Sequence, residues 1–450
     1  MNSKRQVRVY SGRLAQSIAN AIQMYNFASD RLRRTRSRVR RRDFSTIYRH
    51  AVASAFSLEL PFIVTGAPHA RAYYPRNFAW FYPALLDPAT IVSEEDAEAR
   101  VVLMERSARL VLESVRSGNV TTTLVPLTKR RMLGANYFSP PSDSLLGSIA
   151  ALDQLIEAPA GSAYEDVYAR ARAVGQESRT EYGNDLRTAL TQLAGGLERV
   201  KLGKRVRLLC DASKARSSAT DTRAEKLRFV TNANTWTTFA RAVDLGIIDD
   251  QTVARLLGRT LKHYKADILD IFGDRGYVRH SLEREAASVA ADVSLDFAHT
   301  QHGFWDLSDT HERRLFRATA DIVLNEAAFR NEKTGLYLMS VRNPRRRAVH
   351  RVAAPSYQGR TVWPAFNTEF ADRLLDLGAY ERAYADEARR ILRAIRQEIE
   401  KHGAYPELLS REGKPYKTWA YKSAAANSWL PRFVSVWTKA FDEHPFNPTR

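Results

Sequence analysis

The chain has one cysteine, Cys210, in 450 residues. That excludes an intrachain disulfide framework and a thiolate zinc site. It also lacks any run approaching the about 18 consecutive apolar residues that a membrane-spanning helix needs. The opening segment MNSKRQVRVYSGRLAQ is basic. It has no apolar stretch and no small-residue cleavage site, so it does not read as a secretory signal. A reduced, cytoplasmic setting is the expectation. Acidic residues are scarce relative to basic ones, 50 against 69, which leaves a net charge of +19. Apolar usage of 44% and charged usage of 26% are ordinary for a folded protein and exclude wholesale disorder.

The charge is unevenly placed. Residues 1–50 hold thirteen Lys/Arg and two acids, a balance of +11, so the remaining 400 residues carry only +8. Most of the excess is the run Arg31, Arg33, Arg34, Arg36, Arg38, Arg40, Arg41 and Arg42. Such a run favours polyanions through phosphate contacts and counterion release. It also reads as a solvated helix face or a basic arm. No aromatic–basic interleaving and no nucleic-acid module follows it. Residues 1–50 are therefore expected to form a basic arm or helix, and 51–450 a single domain.

From residue 51 onward apolar residues recur at three- and four-residue spacing, punctuated by Gly and Pro. The pattern predicts helices over 92–116, 144–157, 163–174, 182–200, 233–246, 249–272, 311–330, 363–378 and 380–402. Short β-prone pieces lie at 205–210, 336–341 and 346–353, and 203–232 reads largely as a loop. A weak repeat links TNANTWTTFARAVDLG at 231–246 with GRTVWPAFNTEFADRLLDLG at 359–378. Each runs from a polar loop through a Trp into a helix that stops at Gly246 or Gly378. Consecutive helical hairpins of this kind stack as a solenoid or close as a toroid. Closure would gather the loops at one end into a pocket.

Four loop-like stretches combine aromatics for stacking on a sugar ring with polar groups for its hydroxyls. The first, AYYPRNFAWFYPALL at 72–86, contains Tyr74, Arg76 and Asn77. Part of it must be core, but Arg76-Asn77 beside two tyrosines is a costly place to bury polar groups unpartnered. The second, 134–153, carries Pro140-Pro141-Ser142-Asp143-Ser144 ahead of an apolar helix, where Ser142 or Asp143 also serves as an N-cap. The third, YQGRTVWP at 357–364, contains Gln358 and Trp363. The fourth, 403–430, places Glu407 in a Tyr-Pro-Glu turn near Tyr416, Trp419 and Tyr421. Asp296, in SLDFAHTQHGFWD, has the surroundings of a pocket-lining loop. His299 and His302 there are three apart, but no third ligand joins them, so loop histidines are expected rather than a metal site.

Taken in this order along the chain, the four stretches resemble the inverting glycoside hydrolases built on an (α/α)6 barrel: neutral/alkaline invertases, trehalases, glucoamylase-like enzymes and glycogen-debranching glucosidases. The resemblance spans roughly 55–440. Residues 73–86 are similar to an early Arg-Asp-Phe segment, 141–153 to a Val-Asp-Ser-Gly-Leu-Trp segment, and 405–430 to a late Pro-Glu segment followed by Tyr-Gln-Thr-Trp, here Tyr416-Lys417-Thr418-Trp419. It implies an all-α toroid with a few short β-hairpins, no cofactor and no metal. It makes Asp143 the general acid and Glu407 the general base. An inverting enzyme needs such a pair about 6.5–9.5 Å apart, one to protonate the leaving oxygen and one to activate water. Phe138 and Pro140-Pro141 would wall Asp143, and Arg411 or Lys414 would keep Glu407 ionised. Tyr74, Arg76, Asn77, Asp296, Gln358, Trp363 and Trp419 would bind the sugar.

Alternatives stay open at the level of residues. Glu412 competes as the base, and Asp211 and Asp296 as the acid. Asn77 stands where relatives have Asp, which implies a different preferred sugar or a reduced activity. The expected substrate is a glucoside or short α-linked oligosaccharide. The two other readings are a non-hydrolytic carbohydrate-binding barrel and a protein that binds nucleic acid or an anionic surface through its Arg-rich segment.

Overall fold

The computed structural model describes residues 8–32, 43–60, 62–64, 73–117, 120, 123–128, 131–135, 142–202, 205–210, 227–282, 286–299, 303–342, 354–419 and 421–443. Helix dominates them. In chain order the elements are β1 (Arg8–Tyr10), α1 (Arg13–Leu32), α2 (Phe44–Ala55), α3 (Asn77–Trp80), α4 (Glu94–Arg116), β2 (Thr123–Thr128), β3 (Arg131–Ala135), α5 (Ser142–Ile156) and α6 (Glu165–Gly195). There follow β4 (Leu197–Leu202), β5 (Arg205–Cys210), α7 (Phe229–Asp244), α8 (Asp250–Leu257), α9 (Leu261–Phe272), α10 (Val289–Asp292) and α11 (Thr310–Asn325). The last three are α12 (Pro364–Gly378), α13 (Arg382–His402) and α14 (Leu430–Phe441). No helix among the described residues is long and apolar enough to cross a membrane.

Two kinds of helix alternate. α6 and α13 bury one stripe at three- and four-residue spacing, as in Tyr384, Ala388, Ile391, Ile395 and Ile399, and leave the other face to water. α5, α7, α12 and α14 are buried nearly all round. Polar residues on the buried α7 turn back onto their own helix. Thr235, Thr237 and Thr238 hydroxyls donate to the carbonyls of Thr231, Ala233 and Asn234 at 2.8, 3.0 and 2.7 Å. That satisfies them without an outside partner.

The buried segments touch in sequence: α3 on α5, α5 on α7, α7 on the short turn Leu295–Phe297, that turn on α12, and α12 on α14. The chain of contacts returns to its start where Phe81, just after α3, stacks on Trp429, just before α14, at 3.9 Å between centroids. A half-exposed helix precedes each buried segment in the chain. Arg100 of α4 locks one of these outer helices down. Buried completely, it pairs with Asp96 at 2.8 Å and donates to the carbonyls of Leu85 and Thr90.

The sequence-predicted helices sit within a few residues of these, with two differences. The segments 163–174 and 182–200 are one helix, α6, which ends at Gly195 before β4. The segment 249–272 is two, α8 and α9, divided at Gly258, whose φ of 66° breaks the first. The β-prone piece 205–210 is β5, paired antiparallel with β4 in a hairpin, and the end of the expected 203–232 loop is the start of α7. A three-stranded sheet of order β1-β3-β2 was not expected; β1 runs parallel to β3 and β2 antiparallel. Through it the N-terminal segment joins the body, with Ala15 and Ala19 of α1 packed on Val125, Leu133 and Ala135. The segment 336–341 makes isolated bridges rather than a strand, and 346–353 lies outside the described residues.

Candidate active site

The starts of the buried segments lie at one end, tied by backbone pairing. Arg228, ahead of α7, pairs with Ser281. The Leu295 N–H donates to the Met339 carbonyl at 2.9 Å, and the Met339 N–H to the Thr361 carbonyl at 2.8 Å. Val362, ahead of α12, pairs with Leu409, and Pro406 pairs with Ala425, ahead of α14. α3 is tied in by the Tyr82 hydroxyl, 3.3 Å from Ser428 Oγ. α5 is tied in by close approach: a Cβ on Gly147 would lie 2.1 Å from the Pro75 carbonyl oxygen, so only glycine admits this contact. Gly147 is one turn beyond Asp143, so the Pro75-Arg76 backbone rests against the second turn of α5.

This end collects most of the sequence-predicted residues. Asp143 is fully buried in the first turn of α5. Asn77 is buried at the start of α3, and its amide donates to the Tyr82 hydroxyl at 3.3 Å. The Arg76 guanidinium lies over the Tyr74 ring at 4.7 Å, and Tyr74 in turn packs on the α1–β2–β3 cluster. Asp296 is buried in the Leu295–Phe297 turn, 3.5 Å from His280 Nδ1. Gln358 and Trp363 are both buried, and the Trp363 indole donates to the Tyr357 carbonyl at 3.0 Å. Trp419 departs from the group: it is 60% exposed on the turn closed by the Lys417–Lys422 bridge.

Glu407 is held by the protein's own donors. It is buried, and its Oε1 accepts from the Tyr357 and Tyr421 hydroxyls at 3.1 and 2.6 Å. Its Oε2 accepts from the Tyr421 hydroxyl at 2.5 Å and the Ala424 N–H at 3.0 Å. Burial, together with the Glu407 carboxylate beside it, pushes the Tyr421 phenol well above its usual value. Tyr357, Tyr416 and Tyr421 form one aromatic group, with centroids 4.9 Å apart for Tyr357 and Tyr421. The donors expected for Glu407, Arg411 and Lys414, are exposed on the following turn, and phenols and a backbone amide take their place. Glu412 is exposed on that turn too, and a Ser410 hydrogen bond lowers its carboxyl. Asp211, Phe138, Pro140, Pro141 and His302 lie outside the described residues, as do Arg33, Arg34, Arg36, Arg38, Arg40, Arg41 and Arg42; Arg31 falls in α1.

His299 packs among Trp80, Phe81 and Phe366, with centroids 4.2, 5.4 and 4.7 Å away. Burial, reinforced by the positive charge of Arg432, lowers it to about 3, so it is neutral. Arg432, in the first turn of α14, holds that helix to α12 through Glu369 at 2.7 Å and Asp372 at 2.7 Å. Burial would raise the Asp372 carboxyl, but the Arg432, Arg373 and Lys439 charges outweigh it and hold it far below the usual range.

Residue-type reasoning missed Tyr357 and Ser428. The available signal was weak: Tyr357 adjoins Gln358 within a polar-aromatic loop, and Ser428 precedes a Trp at a helix start.

No protein-family model matches the chain. No curated protein matches it either. Solved structures do. A metal-independent α-mannosidase of Streptococcus pneumoniae, in a non-productive complex with α-1,6-mannobiose, is similar over 97% of this chain and 100% of its own. The TM-score is 0.52 and the identity 12%. The chain has the fold of a glycosidase. A second structure, described as a glycosidase with a Glu-to-Ala substitution, is similar over 88% of this chain and 96% of its own, with a TM-score of 0.47 and 12% identity.

Proposed function

We propose that the chain is an inverting glycoside hydrolase on an (α/α)6 barrel, acting on a short α-linked saccharide. What supports this reading is that two carboxylates are buried in segments that lead into inner helices, Asp143 in the first turn of α5 and Glu407 in the loop paired to the approach of α14. Six outer–inner pairs and the Phe81–Trp429 contact between last and first support the barrel. In the reaction Asp143 protonates the leaving oxygen. Glu407 takes the proton of the attacking water on the opposite face. Arg76 and Asn77 hold the hydroxyls of the sugar, and Tyr74 and Trp363 frame it. The described neighbour was bound to α-1,6-mannobiose, so mannosides belong beside glucosides as trial substrates. Trp419, at its exposed position, serves an outer rim rather than the reacting sugar.

The test is hydrolysis of α-1,6-mannobiose, maltooligosaccharides, trehalose and sucrose, with product anomers read by NMR. Inversion is expected. Asp143→Asn and Glu407→Gln are each expected to lower kcat about 10²–10⁴-fold. On an α-glycosyl fluoride, whose leaving group needs no proton, Asp143→Asn is expected to recover activity and Glu407→Gln is not. Retention of configuration, or full activity in both variants, overturns the proposal. A carbohydrate-binding barrel without turnover is the second reading, favoured by the engagement of Glu407 with the protein's own donors. Sugar binding by calorimetry with no product would establish it.

A further inference from the structure

The helix that docks the N-terminal segment leaves part of its apolar surface uncovered. At about 100° per residue, positions 15, 19 and 22 of α1 fall on one side of the helix, and 14, 18, 21 and 25 lie beside them within about 60° of one another. The first group, Ala15, Ala19 and Ile22, packs on Val125, Leu133 and Ala135 of the sheet. The second, Leu14, Ile18, Ala21 and Tyr25, faces water, with Leu14 76% and Tyr25 72% exposed. Tyr10 is exposed too, and its register with Leu133 places it on the sheet face that α1 covers. A strip of large apolar side chains over about 17 Å of helix exceeds the scattered exposure of an ordinary surface. The charge around it has one sign. Exposed Arg8 and Arg13 flank its start, and no Asp or Glu precedes Asp30. After α1 come Arg33, Arg34, Arg36, Arg38, Arg40, Arg41 and Arg42, with no acid among them. That run lies outside the described residues, and what it brings is charge.

We propose that the exposed face of α1 is a peripheral docking site for a membrane surface bearing anionic lipid. The acyl boundary of such a surface takes the apolar side chains, and its headgroup phosphates and carboxylates take the arginines. A nucleic acid would use the arginines but leave Leu14, Ile18 and Tyr25 in water. A second copy of the chain would cover the strip only by setting two segments of +11 against each other. On the lipid surface α1 lies in the interfacial plane with Leu14, Ile18 and Tyr25 turned to the bilayer, while Ala15 and Ala19 keep it fastened to the sheet. Both contributions are needed, since one weak apolar anchor holds only marginally without a basic patch. The face shares no residue with the candidate sugar site, so attachment and hydrolysis are separable.

The test is sedimentation of the full-length protein with vesicles of phosphatidylcholine containing about 30% phosphatidylserine, against phosphatidylcholine alone. Binding to the mixed vesicles and not to the neutral ones is expected. Leu14→Gln, Ile18→Gln and Tyr25→Gln combined are expected to weaken it at least about tenfold with Tm unchanged, because these side chains are exposed in the free protein. Tyr25→Trp should add a blue-shifted emission on the mixed vesicles that lipids brominated on their acyl chains quench. Contact of arginines with headgroups alone produces neither. Absence of binding to the mixed vesicles, or binding that the triple substitution leaves intact, overturns the proposal. So does retention on a DNA or RNA oligonucleotide without vesicle binding, which makes the segment a nucleic-acid arm. A dimer in sedimentation velocity that the triple substitution dissolves, again without vesicle binding, overturns it in favour of a second copy.

Discussion

The surroundings of Asn77 give a physical reason for an amide at this position. Its amide donates to Tyr82, whose hydroxyl meets Ser428 across to the start of α14. A carboxylate cannot donate, and at a site 2% exposed it would be a buried charge. Asn77→Asp is expected to lower kcat/KM at least about tenfold and to lower Tm, because the cost of an unsatisfied buried group is about 1–3 kcal/mol or more. A gain in kcat/KM would show that the departure from Asp is a loss of function. His299 gives a prediction in pH. Its folded-state value, about 3, lies below the ordinary 6.5. The unfolded chain therefore binds a proton that the folded one refuses, and His299 erodes stability as pH falls from about 6.5 toward 3. Denaturant titration of His299→Gln is expected to show a shallower loss of stability across that window than wild type. An unchanged slope would mean that His299 is protonated in the fold.

The elements were largely legible, and the failures have specific causes. Periodicity placed α4, α12 and α13 because each keeps one apolar pattern over its whole length. It split α6, where Gly175 and Gly183 sit inside a helix: Gly175 is needed because a Cβ there would lie 2.8 Å from the Ile156 nitrogen. The weak repeat was sound in paired segments, since its two copies are α7 and α12, both buried. Its shared glycines differ in role. Gly246 takes a φ of 64° beyond α7, whereas Gly378 admits Ala385, 2.6 Å from where its Cβ would stand. The sheet was missed because its strands are three to six residues long and β1 lies over 110 residues from its partner. Of the candidate site, the carboxylates and the Arg-Asn pair were proposed from residue type. The Glu407 donors were not, since only folding sets Tyr357 and Tyr421 against a residue 50 and 14 positions away. The approach of α3 to α5 carries the element-scale prediction. Gly147→Ala puts a methyl into the Pro75 carbonyl and must displace the turn bearing Arg76 and Asn77. Overpacking of this kind costs about 1–3 kcal/mol, occasionally more. A rise in KM is expected along with it, because the sugar-binding turn moves; a stability loss with unchanged KM would separate that turn from the substrate.

At the scale of the whole molecule, the charge and the N-terminal segment part company. The +19 drew attention to residues 1–50 as a tether for polyanions. Yet β1 and α1 are built into the sheet, and the cluster they bury includes Tyr74, which carries Arg76 over its ring. The segment thus supports the candidate sugar site through packing, while the Arg run following α1 accounts for most of its charge. Two variants divide these roles. Deleting residues 1–32 uncovers Val125, Leu133 and Ala135 and releases Tyr74. Burying a side chain of this type is worth about 1.5–3 kcal/mol. The deletion is therefore expected to lower Tm by several degrees and raise KM, and high salt should not restore either, because the loss is apolar. Replacing Arg33, Arg34, Arg36, Arg38, Arg40, Arg41 and Arg42 by Gln leaves that packing in place. It is expected to keep Tm and kcat/KM and to abolish salt-dependent retention on heparin, which counterion release makes steep in ionic strength. If the Gln variant loses hydrolysis while the deletion keeps it, the charge rather than the docked helix serves the site, and the packing argument for Tyr74 fails.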